Sequence, residues 1–182
     1  MSLTKAEKWV VWGIPVLFIL GGGLHFLYDL LGKSAVIGAI APVNESVWEH
    51  MKLVLWPVIL WWSLYYFVKG RERGVNGDKW FAGALTSLLV SLLVIPMGYY
   101  FYTGAFGVEL MWVDILLLLV ALALGQVLGL HVYRRGGGLP SNAVLVVFLL
   151  LALFFVWMTF APPELPIFCD PQNGGYGVAA AA

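Results

Sequence analysis

The chain has 182 residues, of which 62% are apolar and 11% are charged, and its formal net charge is zero. Soluble domains average about 45–50% apolar and about 25% charged residues, so this composition excludes an ordinary soluble domain. The balanced charge and the lack of a basic tract also exclude nucleic acid as an expected partner.

Five continuous apolar runs are each long enough to cross a hydrocarbon core of about 30 Å as a helix. A first run of this length is too long for the core of a signal peptide, so we expect it to stay in the protein. Gly125 and Gly129, one turn apart, predict close approach of a neighbouring helix. The sequence predicts an all-α membrane bundle in residues 1–162, followed by a Pro/Gly-rich tail in 163–182. In chain order, the five predicted spans are residues 9–31, 47–68, 80–102, 110–133 and 143–160.

The distribution of Lys and Arg between the connecting segments predicts the orientation in the cell membrane. Basic residues occur before the first span, in the loop 69–79 and at Arg134 and Arg135, whereas the loop 103–109 has none. Segments rich in Lys and Arg stay in the cytoplasm. We therefore expect a cytoplasmic N-terminus and an extracytoplasmic C-terminus, with the lipid bilayer as the main partner.

Polar side chains of metal-ligand or acid–base type collect at the predicted outer ends of the spans. His25 and Asp29 lie four residues apart and so share a helical face. A second group opens the second span, and Asp114 lies about one turn into the fourth. Because these ends meet on one side of the membrane, we expect the groups to converge. The full set is His25, Asp29, Glu45, Glu49, His50 and Asp114.

Part of this pattern has a structural explanation. Ser46 and Glu49 have the spacing of a capping box at the start of the second span, and Lys52 can neutralise Glu49. Neither explanation requires Glu45 or His50. Glu45 and His50 are therefore compatible with a functional cluster.

Two histidines and several carboxylates form a ligand set that suits zinc, iron or manganese. The sequence predicts a divalent, zinc-like ion held by His25, Asp29 and His50, with Asp114 as a further candidate ligand. Glu45 or Glu49 would then be the general base for a metal-bound water. The spacing itself is weak support, because no His-Glu-x-x-His or Cys-x-x-Cys motif is present.

The stretches "HFLYDLLG", "APVNESVWEHMKLVLWP" and "PPELPIFCDPQNGGYG" resemble an uncharacterised prokaryotic family of small multi-pass membrane proteins, a domain of unknown function. The hallmark of that family is similar to Asn-Glu-Ser-x-Trp-Glu-His-x-Lys. The resemblance covers most of the chain and implies no activity. In this sequence the hallmark corresponds to Asn44, Glu45, Ser46, Trp48, Glu49, His50 and Lys52.

Three functions follow from these residues, and the sequence leaves the choice between an enzyme and a non-enzyme open. The first is a membrane-embedded metal-dependent hydrolase that acts on a lipid-like or small-molecule ligand, with the tail as a lid. The second is a small ion or solute transporter or channel that uses the same carboxylates. The third is a structural or assembly protein in which the cluster is an ion-paired brace. The sequence does not indicate an oligomeric state.

Overall fold

The computed structural model describes residues 2–181, and eight α-helices are present in that part of the chain. The second helix of the bundle continues as a π-helical turn at Tyr66–Gly70, and two 3₁₀ helices, Pro166–Phe168 and Gly177–Ala181, lie in the tail. The α-helices are α1 (Lys5–His25), α2 (Leu27–Leu30), α3 (Ala35–Gly38), α4 (Val47–His50), α5 (Lys52–Tyr65), α6 (Gly77–Phe106), α7 (Met111–Arg135) and α8 (Ser141–Phe160).

Five helical segments are long and apolar enough to cross a membrane, which confirms the predicted all-α bundle of five spans. The chain is therefore a multi-pass membrane protein. Each observed segment overlaps one predicted run, and the ends differ by a few residues. The five segments are Lys5–His25, Val47–Gly70, Gly77–Phe106, Met111–Arg135 and Ser141–Phe160.

Local side-chain chemistry explains where several of these helices begin and end. Thr4 and Glu7 form a capping box at the start of α1, each bonding the backbone N–H of the other. The side chain of Asn76 accepts a hydrogen bond from the Lys79 N–H at the start of α6. Gly107 ends α6 in the left-handed conformation, with φ of 66°, which glycine adopts without steric cost.

Close packing between α6 and α7 confirms the prediction made from Gly125 and Gly129. A Cβ atom on Gly129 would lie 2.6 Å from the Gly83 carbonyl oxygen, and one on Gly83 would lie 2.6 Å from the Gly129 carbonyl oxygen. At Gly125 a Cβ would lie 2.6 Å from the Ser87 carbonyl oxygen. The two helices therefore pack backbone against backbone, and small residues are required on both sides.

The first span is shorter than the sequence predicted. Helix α1 ends at His25, and Phe26 is its C-cap residue, with φ of −90° and ψ of −6°. A separate single turn, Leu27–Leu30, follows it. Residues 26–31 therefore belong to a connecting segment, and the segment Ala41–Asn44 folds back into the protein and is buried.

The tail also packs back onto the bundle. The Phe168 ring contacts the Trp48 ring at a centroid distance of 4.7 Å, and Trp48 stacks on Phe155 of α8 at 4.2 Å. Cys169 and Tyr176 form an isolated antiparallel bridge that closes the loop between them. This loop lies over the end of the bundle where α1 ends and where α4 and α7 begin.

Candidate metal centre

The start of α4 fixes the position of the His50 ring. The Ser46 hydroxyl oxygen caps this helix by accepting a hydrogen bond from the Glu49 N–H at 3.3 Å. One turn later, Nδ1 of His50 lies 3.0 Å from the Ser46 carbonyl oxygen. A carbonyl can only accept, so Nδ1 carries a proton, and in the neutral imidazole Nε2 of His50 then presents a lone pair. This is the tautomer that a metal ligand requires, and a backbone carbonyl is a usual partner for its other nitrogen.

Three ligand atoms converge from the end of α1 and the start of α4. Nε2 of His25 lies 3.1 Å from Nε2 of His50, and the two nitrogens lie 3.6 and 3.4 Å from Oε2 of Glu45. Within residues 2–181, this is the one group of three His, Cys, Asp or Glu residues whose ligand atoms lie close enough to share an ion. The side chains of His25, His50 and Glu45 are 29%, 27% and 37% exposed, so the group is accessible without being a surface cluster.

The size of this triangle fits a first-row metal ion. An ion with bonds of about 2.0–2.1 Å in tetrahedral geometry separates its ligand atoms by about 3.3–3.4 Å. The three observed separations, 3.1, 3.4 and 3.6 Å, lie on both sides of that value. Two imidazoles and one carboxylate leave the fourth position for water or substrate, which is the pattern of catalytic rather than structural zinc sites.

Glu45 is in the protonation state that such a site needs. The imidazoles of His25 and His50 hold the pKa of this carboxyl well below its usual range, against the opposing effect of burial. The group is therefore a carboxylate at neutral pH. A carboxylate and an imidazole lone pair directed at one point attract a cation.

The three ligand atoms face a cavity of about 610 Å³. Its walls are mainly apolar and come from the end of α1, the start of α4 and α5, and facing parts of α6 and α7, with two tail residues above. Its polar groups besides the triangle are Tyr99, Glu109, Asp114 and Gln172. The other lining residues are Phe18, Ile19, Gly22, Phe26, Val47, Leu53, Ile95, Leu110, Met111, Ile115, Leu117, Leu118 and Pro171.

Asp114 lines this cavity but does not join the triangle of ligand atoms. Its Oδ1 accepts a hydrogen bond of 2.8 Å from the Tyr102 hydroxyl. Asp114, the predicted further ligand, therefore lies in the same cavity but is hydrogen-bonded to a neighbouring tyrosine. The sequence did not indicate Tyr102 as a partner of Asp114, although it places this tyrosine at the end of the third predicted span.

The structure does not bring Asp29 to the centre. Because α1 ends at His25, Asp29 no longer follows that histidine on a continuous helical face. Its side chain is 77% exposed and lies 3.8 Å from the Lys33 ammonium. It does not line the cavity.

Glu49 lies in a separate buried network, away from the cavity lining. Its Oε2 accepts hydrogen bonds from the Lys52 ammonium at 2.7 Å and from the Val43 N–H at 3.0 Å. Its Oε1 accepts one from the Thr159 hydroxyl at 2.9 Å. Lys52 also donates to the carbonyls of Gly38 and Ala41. We call Glu49, Lys52, Thr159 and the carbonyls that they bind the buried brace.

The buried brace contains a residue that the sequence did not indicate, since Thr159 lies 110 positions after Glu49. Asn44 is similar: its side-chain nitrogen donates to the Gly177 carbonyl at 3.1 Å, while its oxygen accepts from the Ser46 N–H. Asn44 thereby ties the tail to the start of α4. A pattern in one segment gives no signal for such distant partners.

Residues 1–178 match the family of unknown function DUF6512, and the chain belongs to that family. This agrees with the resemblance to a domain of unknown function. That the family is prokaryotic and that residues 44–52 are its hallmark stay predictions. No curated protein and no solved structure matches the chain.

Proposed function

We propose that this membrane protein is a metal-dependent hydrolase that acts on a lipid-like substrate in the cell membrane. The observation that carries the proposal is the triangle of His25, Glu45 and His50, with ligand atoms 3.1–3.6 Å apart at the end of a largely apolar cavity. In this proposal Glu45 is a ligand of a zinc-like ion and not the general base that the sequence suggested.

The chemistry follows from an open coordination position. His25, Glu45 and His50 would hold the ion, which would supply a water of pKa about 7 and polarise a substrate carbonyl. Asp114, which the Tyr102 hydroxyl orients in the same cavity, would hold the proton that this water loses as its oxygen adds to the carbonyl carbon of an ester or amide. Asp114 would return that proton to the leaving group as the bond to the leaving group breaks.

The walls of the cavity support a lipid-like substrate. Four apolar lining residues from α1, the segment after it and α7 are also at least half exposed. In a bilayer an exposed apolar surface at this depth faces acyl chains, so a lipid can enter from the side. These residues are Ile19, Phe26, Met111 and Ile115, which are 70%, 69%, 77% and 50% exposed.

The distribution of basic residues supports an extracytoplasmic location for the centre. The triangle lies at the end of the bundle opposite the loop 69–79 and the pair Arg134 and Arg135. Cytoplasmic loops carry the excess of Lys and Arg, so the N-terminus is proposed to be cytoplasmic and the centre extracytoplasmic.

The transport alternative has less support from the middle of the bundle. The Ser91 hydroxyl donates to the Ala121 carbonyl at 3.0 Å, and the Gln126 side-chain oxygen accepts from the Trp62 indole at 3.1 Å. Both side chains are buried between helices. The Ser91 hydroxyl and the Gln126 side-chain oxygen are thus bonded within the bundle, which supports a role in helix packing.

Metal content tests the proposal directly. The protein, purified in a neutral detergent and dialysed without chelator, is analysed by mass spectrometry of its metals and then by zinc titration. We expect about one ion per chain in the wild type and little or none in His25→Ala and His50→Ala. His131→Ala is the matched control, because His131 lies at the other end of the bundle. A wild type that neither retains nor binds a divalent ion would contradict the proposal.

A further inference from the structure

The cavity next to the candidate metal centre is acidic. Its lining contains three carboxylates, Glu45, Glu109 and Asp114, and no Lys or Arg among the described residues. An adjoining cavity of about 480 Å³ shares Glu109 and adds Glu164, again without a lining Lys or Arg. Glu109 therefore lies where both cavities are lined by carboxylates and, among the described residues, by no Lys or Arg.

Neither Lys33 nor Lys52 lines the cavity. Lys52 is fully buried in the buried brace, where its ammonium bonds Glu49 and two backbone carbonyls. Lys33 lies beside Asp29, which is outside the cavity lining. A phosphate group beside Glu109 would therefore meet a carboxylate without a Lys or Arg partner in the cavity lining.

Tyrosine hydroxyls hold two of the carboxylates. The Tyr99 hydroxyl donates to Oε1 of Glu109 at 2.6 Å, and the Tyr102 hydroxyl donates to Oδ1 of Asp114 at 2.8 Å. A phenol fixes the position of a carboxylate without neutralising it. Glu109 thus presents a fixed negative charge where the two cavities meet, with the ring of Tyr99 beside it. An ammonium group is favoured by such a charge.

We propose that Glu109, held by Tyr99, recognises a protonated amine in the polar part of the substrate. This inference rests on the proposed function, since it names the substrate class of the same cavity. The substrate is an amphiphile with an amine-bearing head. A neutral head group binds less tightly, because it lacks the attraction to Glu109. A phosphate-bearing head group binds least tightly, because its negative charge is repelled by Glu109.

Three probes with the same twelve-carbon chain test the order: dodecylamine, dodecanol and dodecyl phosphate. Their binding to the full chain is measured by calorimetric titration in a neutral detergent at low salt. We expect the wild type to bind the amine at least about tenfold more tightly than the phosphate. In Glu109→Gln this ratio falls to about threefold or less, and in Glu109→Lys it inverts. Raising the salt to 0.5 M lowers the wild-type ratio, because screening weakens exposed charges.

Asp29→Asn is the matched control, because it removes an exposed carboxylate outside both cavities and should keep the wild-type ratio. Equal binding of amine and phosphate by the wild type would overturn the inference, as would an unchanged ratio in Glu109→Gln. Metal content is measured on the same preparations. A loaded metal centre without amine preference removes the inference alone, whereas an amine preference in a protein that binds no metal removes the proposed hydrolase and keeps the recognition site.

Discussion

Glu45 and Glu49 lie four residues apart in a single motif, yet the groups around their carboxylates differ. Glu49 is 1% exposed, and its two oxygens together accept three hydrogen bonds, one of them from the Lys52 ammonium. Glu45 is half-buried, with two imidazoles beside it and a cavity in front. A carboxylate whose bonds are all satisfied holds structure together, whereas one with an open side can bind a ligand. The predictions below test this division of roles.

The largest expected effect on folding comes from breaking the buried brace. Replacing Lys52 by Met leaves the charge of Glu49 buried without its partner, which typically costs about 3–5 kcal/mol. We expect this loss of unfolding free energy, or failure to fold, in denaturant titrations in detergent micelles. The double variant Glu49→Gln, Lys52→Met removes both charges and should recover much of the loss. Near-wild-type stability of Lys52→Met alone would refute a structural role for the pair.

Changes at the candidate metal centre should affect the stabilisation by zinc and leave the stability of the metal-free protein nearly unchanged. Zinc at a hundredfold excess over its dissociation constant stabilises a protein by about 2.7 kcal/mol, since it binds the folded state. We expect this gain in the wild type and in Thr159→Val, and its loss in His50→Ala. Without metal, His50→Ala should unfold close to the wild type. The comparison would fail if zinc stabilised His50→Ala as much as the matched control His131→Ala.

A milder change to the buried brace is Thr159→Val, which keeps the shape of the side chain and removes one hydrogen bond to Glu49. A hydrogen bond to a charged group contributes about 1.5–3 kcal/mol, so we expect a loss of about 2 kcal/mol. Thermal unfolding with and without zinc provides the measurement. A lower stability with an unchanged zinc increment would place Thr159 in the buried brace alone; a smaller increment would show that the two regions are coupled.

The smallest effect is expected at Asp29, which the sequence placed among the metal ligands and the structure places on an exposed ion pair with Lys33. Such pairs contribute less than about 1 kcal/mol. Asp29→Ala should therefore keep both the stability and the zinc affinity of the wild type, measured by the same unfolding and titration experiments. A marked loss of zinc affinity would restore Asp29 as a ligand and require the segment 26–31 to rearrange.

Much of the fold could be predicted from sequence because a bilayer imposes a length and an apolar composition on every span. The same reasoning brought His25, Glu45, His50 and Asp114 to one end of the bundle. It failed at Asp29, because spacing along a helix is informative only while the helix continues, and α1 ends at His25. It paired Glu49 with Lys52 by their spacing, but it still left Glu45 and Glu49 as equal candidates for the general base.

The sequence by itself determined five membrane-spanning helices and a polar group at one end, because hydrophobic length and helical periodicity are local properties. The spacing of Glu49 and Lys52 already indicated one ion pair, but the tertiary structure alone decided the other partners of the two acids. These partners lie far away in the chain: His25 on α1 beside Glu45, and Thr159 on α8 beside Glu49. A buried charge takes the partners that packing brings within about 3 Å, and no pattern within residues 41–57 encodes these two.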